Sequence, residues 1–520
     1  MNSNVLQANS PNLSGNNGER NWKILLFTLV IAFGLRLFLV FYPEVIRNDG
    51  TEYIRYARQI LSGDWTGGKA PPLYPLLIAL FHFFTPNDEI AGIWVSVIMG
   101  TLVVLPVFYL GKEIFNEKVG IISALFAAVH PFLYTSSGSV LTEATYHFLL
   151  ATSVLFGWKA FNHGQFYNIL FFSLFTTLAY LTRPEAIAFL FIFCVWVLWI
   201  HPPQGKRGWK KRGGIILFAL FCFLVFASPY LIKIRMETGR WGISQKISVS
   251  IGSFQEEEGV PSIDEIRRRR EFPLVSLLKD PLTALGKMGI GIFLSIYKFQ
   301  QGFHPFLFFL AIVGFIFLLK REKGPSSLKG NLYLMSYLIF FFGFVFPFFW
   351  ITRRYTSHLI TIAIPWAAFG FLMSVEWVHQ RLKGVVSQTK FGIILLVLIL
   401  IGLAVQGRFI HGREFRFIQR DAGLWMKDHL PRKGKIMSSL PQEAFYAERP
   451  WTHMPSKSYE VILKEARSQE VRYLMIDEKI EKDSPGFLGK VKKDDLTFIR
   501  DFKRKNRNMV IFEVVYPKGQ

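Results

Sequence analysis

Asp49 and Glu52 stand three residues apart in the segment Arg47-Asn48-Asp49-Gly50-Thr51-Glu52-Tyr53-Ile54-Arg55-Tyr56-Ala57-Arg58-Gln59-Ile60-Leu61. On a helix, residues i and i+3 share a face, so both carboxylates can address one point. A carboxylate so placed can take the proton of a hydroxyl as general base. The same spacing also serves as a helix cap worth about 1 kcal/mol with no chemistry attached, and on spacing alone the cap is the simpler reading. Further along, Gly63-Asp64-Trp65 and Lys69-Ala70-Pro71-Pro72 bring a cation onto a rigid turn. Glu143 follows Ser139-Val140-Leu141-Thr142 as a second acid, and the pair Arg353-Arg354 precedes Tyr355. Adjacent arginines suit a phosphate, and equally suit snorkelling to lipid head groups. Glu143 at a helix start would equally complement the helix dipole.

The elements that must hold these groups are membrane elements. The chain has 520 residues, 51% hydrophobic and only 19% charged, with 53 Phe and 13 Trp, which excludes disorder. Apolar residues cluster in blocks such as Ile24 to Tyr42, Gly214 to Ile232 and Phe391 to Val405, each near the length that crosses a bilayer. The expected architecture is a polytopic α-helical membrane protein of about eleven spans, near 23–42, 90–111, 118–135, 140–158, 166–182, 185–200, 214–232, 303–319, 331–350, 355–375 and 390–407. Cations concentrate in the short connections 201–213, 320–330 and 376–389, which by the positive-inside bias places the N-terminus in the cytoplasm. Residues 43–89, the turns at 136–139 and 351–354, the long loop 233–302 and everything after about residue 408 then face outward.

Three domains are expected: a disordered cytoplasmic tail at 1–22, a transmembrane catalytic domain at 23–408, and an extracytoplasmic α/β domain at 409–520. In the last, candidate strands Lys435–Ser439, Arg472–Asp477 and Met509–Val515 alternate with helical stretches 413–429 and 458–469. Apolar positions 53, 54, 57, 60 and 61 form one helical face, so the segment carrying Asp49 should lie along the membrane surface.

Several functions are disfavoured. The net charge of +23 raises nucleic acid, yet no reader motif accompanies it and a membrane accounts for the basic loops. Cys194 and Cys222 both lie in apolar blocks, which leaves no material for a disulfide framework or a cysteine zinc site. No Walker loop and no G-x-G-x-x-G turn appears, so a nucleotide-sugar site on a Rossmann domain is not expected. No histidine pair has metal-ligand spacing, and Asp49 with Glu143 alone is too few ligands, so no cofactor is assigned and a divalent cation stays open. Charge runs at Glu256-Glu257-Glu258 and Arg267-Arg268-Arg269-Arg270 read first as solvated surface, and Arg183-Pro184-Glu185 as either a structural ion pair or a phosphate contact. Phe340-Phe341-Phe342 and Phe348-Phe349-Trp350 suit a polyprenyl groove and lipid-facing packing equally.

The ordered set of an acid after the first span, a helix of the form D-x-x-x-Y-x-x-x-A, then G-D-W, K-x-P-P and Y-P-L-L-I-A resembles the membrane glycosyltransferases of the GT-C class. It is similar above all to the dolichyl-phosphate-mannose protein mannosyltransferases and the bacterial aminoarabinose transferases that modify lipid A. Later segments extend the likeness along the whole chain: Gly111-Lys112-Glu113-Ile114-Phe115, Val129-His130-Pro131-Phe132, Ser139-Val140-Leu141-Thr142-Glu143, Ile351-Thr352-Arg353-Arg354-Tyr355 and Ile362-Ala363-Ile364-Pro365. Gly423-Leu424-Trp425 through Pro431, Lys435-Ile436-Met437-Ser438 and Ala444-Phe445-Tyr446-Ala447-Glu448-Arg449-Pro450 resemble the soluble C-terminal domain of bacterial members. Where many relatives have adjacent acids as D-E, this chain has Asp49-Gly50-Thr51-Glu52, and its second acid is Glu143 where some have Asp.

The resemblance implies an inverting transfer of a sugar from a polyprenyl-phosphate donor to a hydroxyl acceptor on protein, lipid A or an envelope glycan, at the outer side of a bacterial inner membrane. It implies Asp49 as base with Glu143 as second catalytic acid, and Glu52, Tyr53, Lys69, Arg353, Arg354 and Tyr355 as substrate-binding residues. The implied partners are the lipid-linked donor, membrane lipids and the envelope acceptor, with no nucleic acid. Two alternatives stand: a transporter or flippase for lipid-linked sugars, which would place ionisable residues near span centres, and a noncatalytic envelope scaffold.

Overall fold

The structure is a computed structural model that describes residues 14–516 apart from 43, 67, 164, 200–204, 246–280, 321–324, 349–351, 383–386, 410–414, 456–457, 484–485 and 505–506. The chain divides into two compact units. The first holds residues up to Tyr42, Tyr56–Gly138 and Thr142–Ile410, and the second holds residues 43–55, Ser139–Leu141 and the chain from His411 on. The division falls inside helix Asn48–Leu61, so its two halves belong to different units.

Among its described residues, every regular element of the first unit is a helix. Among the described residues six helices are long and apolar enough to cross a bilayer: Arg20–Phe41, Asp88–Ile114, Gly208–Thr238, Leu328–Val345, Arg353–Arg381 and Gln388–Gly407. A seventh crossing is made if Met288–Phe303 and Pro305–Lys320, which meet at 109°, count as one broken span. This is an integral membrane protein. The count falls below the expected eleven for a physical reason. Glu117–Val129 has 13 residues, Phe166–Tyr180 has 15 and Ile187–Trp199 has 13, and at 1.5 Å per residue each covers only about 20 Å of a core about 30 Å thick. Glu143–His163 is long enough at 21 residues but carries Glu143 and Lys159 among several hydroxyl and imidazole groups. Part of the segment expected as an outer loop at 233–302 is helix Pro281–Phe303.

Local sequence explains the helix starts. Asn87 accepts from the backbone N–H of Glu89 and Ile90 at 3.0 and 3.1 Å, and Asn116 from Val119 at 3.0 Å, so each satisfies donors that the first turn leaves open. The interior is aromatic: Phe172 stacks on Phe193 at 4.1 Å, and Tyr333, Tyr337 and Trp158 pack beside them. Phe27, Leu217 and Phe293, by contrast, are more than 60% exposed, as apolar side chains facing lipid must be. Arg36 lies wholly buried in the first span, and its guanidinium donates to Ser137 Oγ and to the carbonyls of Ala32 and Ala128 at 2.8–3.1 Å. Its hydrogen bonds are those of a structural cross-link rather than of a transport path.

The second unit contains a five-stranded sheet. Its strands are β1 (Lys435–Ser438), β2 (Trp451–His453), β3 (Val471–Asp477), β4 (Leu496–Arg504) and β5 (Arg507–Val514), in the order β2-β1-β3-β5-β4. β1 pairs in parallel with β2 and β3, which requires crossovers; helix Tyr459–Ser468 supplies the one from β2 to β3. β5 is antiparallel to both β3 and β4. Strand alternation divides the core: Leu474 and Ile476 join Met437, Ile462 and Phe512, while Tyr473 and Met475 join Ala422, Met426 and Ile511.

Candidate functional site

Glu143 opens helix Glu143–His163, and its carboxylate is 1% exposed. Arg354, in the short helix Arg353–Thr356, donates its Nε–H to Glu143 Oε1. Arg183 approaches the same oxygen with Nη1 at 3.9 Å, and its Nε pairs with Glu185 at 2.6 Å. The Arg183 guanidinium lies between two rings, 5.3 Å from the centroid of Tyr146 and 5.4 Å from that of Tyr355. Burial opposes the charged form of Arg183, but the carboxylates of Glu185 and Glu143 outweigh it and hold the pKa above the ordinary arginine value. Residues from three places in the sequence thus form one charged network, and it leaves Arg353 and Tyr355 exposed beside it.

The network continues through polar groups. His147 Nε2 and Ser357 Oγ are 2.9 Å apart, and the ring of His358 packs edge-on against Tyr146 at 5.5 Å. Glu143 Oε2, Tyr146 Oη, His147 Nδ1 and His358 Nε2 are buried and make no hydrogen bond to another protein group among the described residues. That capacity suits a polar ligand or water.

Lys69 is exposed on the loop after helix Asn48–Leu61. What fixes that loop is a lysine that sequence reasoning passed over. Lys233, near the end of helix Gly205–Thr238, donates to the Gly68 carbonyl at 3.1 Å and to Tyr56 Oη, and lies 4.3 Å over the Tyr56 ring. Gly68 is packed so tightly on that ring that a Cβ would stand 2.5 Å from its carbons. Burial, then Glu237, pushes the Tyr56 hydroxyl up to about 12, so it stays protonated. Asp64 closes the other end of the loop by accepting from the Thr66 N–H and hydroxyl at 2.8 and 2.6 Å. A cation directly after the apolar block 214–232 was the signal for Lys233.

In the second unit, Asp49 lies in the first turn of helix Asn48–Leu61, half-buried, where the sequence placed it. Glu52 is exposed and pairs with Arg55 at 2.7 Å, while Tyr53 is buried. Gly50 is required by contact: a Cβ there would be 2.8 Å from the Val140 carbonyl and from Ile46 Cγ1. Among the described residues no group of three or more His, Cys, Asp or Glu could hold a metal ion. The charge runs at 256–258 and 267–270, and Phe349-Trp350, lie outside the described residues. Phe341 is buried against Phe346 and His358, whereas Phe344 faces outward.

The arrangement of helices matches solved structures over nearly the whole chain. The oligosaccharyltransferase of Archaeoglobus fulgidus in complex with Zn and sulfate aligns over 95% of this chain and 73% of its own, with a TM-score of 0.60 and 14% identity. ArnT from Cupriavidus metallidurans bound to undecaprenyl phosphate aligns over 94% of this chain and 97% of its own, with a TM-score of 0.58 and 10% identity. This chain has the GT-C fold. Within the GT-C fold, the family model of dolichyl-phosphate-mannose-protein mannosyltransferases matches residues 69–232, which begin at Lys69 and include Glu143, Arg183 and the start of the segment leading to Lys233. The archaeal AglB, solved with an inhibitory peptide and a dolichol-phosphate, shares the GT-C architecture with a TM-score of 0.58 at 12% identity, over 95% of this chain and 74% of its own. No curated protein matches the sequence.

Proposed function

We propose that this protein is an inverting glycosyltransferase that moves a sugar from a polyprenyl-phosphate donor to a hydroxyl acceptor at the outer face of a bacterial inner membrane, with its N-terminus cytoplasmic and its C-terminal domain outside. The observation that carries the reading is the buried Glu143 that fixes Arg354, on a fold shared with a protein solved bound to undecaprenyl phosphate. An arginine held by a desolvated carboxylate has its guanidinium plane and charge fixed in one direction, which suits a leaving phosphate. Exposed Arg353 and Lys69 add positive charge, and Tyr355 forms the wall over Arg183.

In the step itself, the acceptor oxygen attacks the anomeric carbon while the bond from that carbon to the phosphate oxygen breaks. The electron pair leaves on the phosphate, where Arg354, Arg353 and Lys69 hold it, and Asp49 takes the acceptor's proton. Glu143 is already committed to two guanidinium groups and serves as their anchor. Tyr53, being buried, shapes the helix behind Asp49, and Glu52 acts at the rim with Arg55.

The deciding experiment is transfer by the purified protein in detergent, with radiolabelled polyprenyl-phosphate sugars and envelope extract, comparing wild type with Asp49→Asn. Transfer lost in the variant supports the reading. Equal transfer by both rejects Asp49 as base, and no transfer by wild type with any donor rejects the enzyme.

A further inference from the structure

Residues 44–47, just before the helix that carries Asp49, adopt neither helix nor strand. A stretch without a hydrogen-bond ladder of its own takes its geometry from whatever its polar groups are bonded to. Here two bonds come from one five-residue helix, Gln442–Tyr446, which follows β1. Tyr446 Oη accepts the Ile46 N–H at 3.0 Å, and Gln442 Nε2 donates to Asn48 Oδ1 at 2.5 Å. Ile46, Gln442 and Tyr446 are all buried, so the bond to Ile46 is shielded from solvent, while the bond to the exposed Asn48 is half-buried and held from its Gln442 side.

The short helix is itself firmly bedded. A Cβ on Gly423 would lie 2.6 Å from the Glu443 carbonyl and 2.7 Å from Tyr446 Cβ, so helix Phe415–His429 packs backbone to backbone against it. From the other side, Ser139 Oγ donates to Glu44 Oε2 at 3.1 Å, and Glu44 in turn pairs with Arg47 at 3.2 Å. Glu44, Ile46, Asn48 and Gly50 are thus each fixed, and Asp49 sits between the last two.

We propose that the C-terminal sheet domain is part of the catalytic machinery, with Tyr446 and Gln442 as positioning residues that set the place of the Asp49 carboxylate. This rests on Asp49 being the base. The domain touches no reacting atom in this role; it acts through the backbone at Ile46 and the side chain of Asn48. A displacement near 1 Å of a reacting group can cost about a hundredfold in rate, so two bonds adjacent to the base are enough to matter.

The test uses the full-length protein with Tyr446→Phe, which removes one hydroxyl, and Gln442→Met, which removes the amide at nearly constant volume. Hydrogen exchange read by mass spectrometry on the peptide covering 44–50 should quicken by about 3- to 10-fold at Ile46 in Tyr446→Phe, the range expected for one lost hydrogen bond. Protection of β1 and β3 should stay at the wild-type level, which shows that the domain is folded. In the transfer assay each variant should lose roughly 10- to 100-fold in kcat, with donor KM within about twofold of wild type. Tyr446→Phe and Gln442→Met with wild-type exchange overturn the clamp. Faster exchange with unchanged kcat overturns its positioning role. Wild-type transfer by Asp49→Asn instead removes the base assignment on which that role depends, and the exchange result still reports on the clamp separately.

Discussion

Arg354 donates its Nε–H to Glu143, a carboxylate with almost no exposure to solvent, and Arg183 shares the same oxygen. Glu143 was open to two readings from sequence, a catalytic acid or a helix-dipole partner. The network supports a third role, the counterion that orients Arg354. A carboxylate held by two guanidinium groups is a poor proton acceptor, which is why the proposed reading gives the base role to Asp49.

Removing that counterion leaves two guanidinium groups without their shared partner. Glu143→Ala should destabilise the protein by about 3–5 kcal/mol, the range for breaking a buried ion pair. Glu143→Gln, which keeps an acceptor oxygen, should cost less. Apparent melting midpoints in detergent give the order wild type, then Gln, then Ala; three equal midpoints would mean the network carries no structural weight.

Lys233→Met should free the loop before Lys69, because it removes the bond to the Gly68 carbonyl and the contact with Tyr56. The expected result is a donor KM raised by about 3- to 30-fold with a smaller change in kcat, since binding rather than proton transfer is disturbed. A change confined to kcat would argue against a role in presenting Lys69.

Gly314 and Gly370 set the approach of helices Pro305–Lys320 and Ile360–Arg381. A Cβ on Gly370 would fall 1.9 Å from the Leu310 carbonyl, and one on Gly314 2.4 Å from that of Trp366. Gly370→Ala should cost about 1–3 kcal/mol or more through overpacking and lower the yield of monodisperse protein. Gly402→Ala, where nothing lies within 4 Å, should match wild type in the same size-exclusion profile.

Glu443 gives the C-terminal domain a pH dependence. Burial, with Asp477 adding to it, pushes its carboxyl up to about 8 from an ordinary 4.5. The folded state therefore binds the proton more tightly than the unfolded chain. The stability this supplies is complete below about pH 4.5, falls as pH rises, and is gone above about pH 8, with a total on the order of a few kcal/mol. Unfolding of the full-length protein, followed by exchange protection in β1 and β3, should weaken from pH 5 to pH 8. Glu443→Gln should flatten that trend; an unchanged slope would place its source elsewhere.

The strands β1, β3 and β5 were legible because each holds a short buried apolar run, Ile436-Met437, Tyr473 to Ile476 and Met509 to Phe512, flanked by polar residues. β2 and β4 were not. β2 has three residues, and β4 reads Leu-Thr-Phe-Ile-Arg-Asp-Phe-Lys-Arg with most side chains exposed at the sheet edge and a register shift between Phe498 and Arg500, so no alternation survives. Lys233 was hidden for the opposite reason: it sits in an apolar helix whose pattern announces lipid, and only the return of the Gly68 loop gives the ammonium something to bind.

Sequence alone determined that the chain is a polytopic helical membrane protein with an α/β domain after residue 408, because hydrophobic block length and strand period are local properties of the chain. It also placed Asp49 in the first turn of an amphipathic helix, since capping chemistry and amphipathic spacing are read within a few residues. Only the tertiary structure decided that Glu143, Arg183 and Arg354 form one charged network, and that Tyr446 and Gln442 hold the segment before Asp49. Those partners lie between 40 and 400 residues apart in the chain. Nothing in local periodicity encodes such pairings; they arise when packing excludes water and each buried polar group must find its partner within the fold.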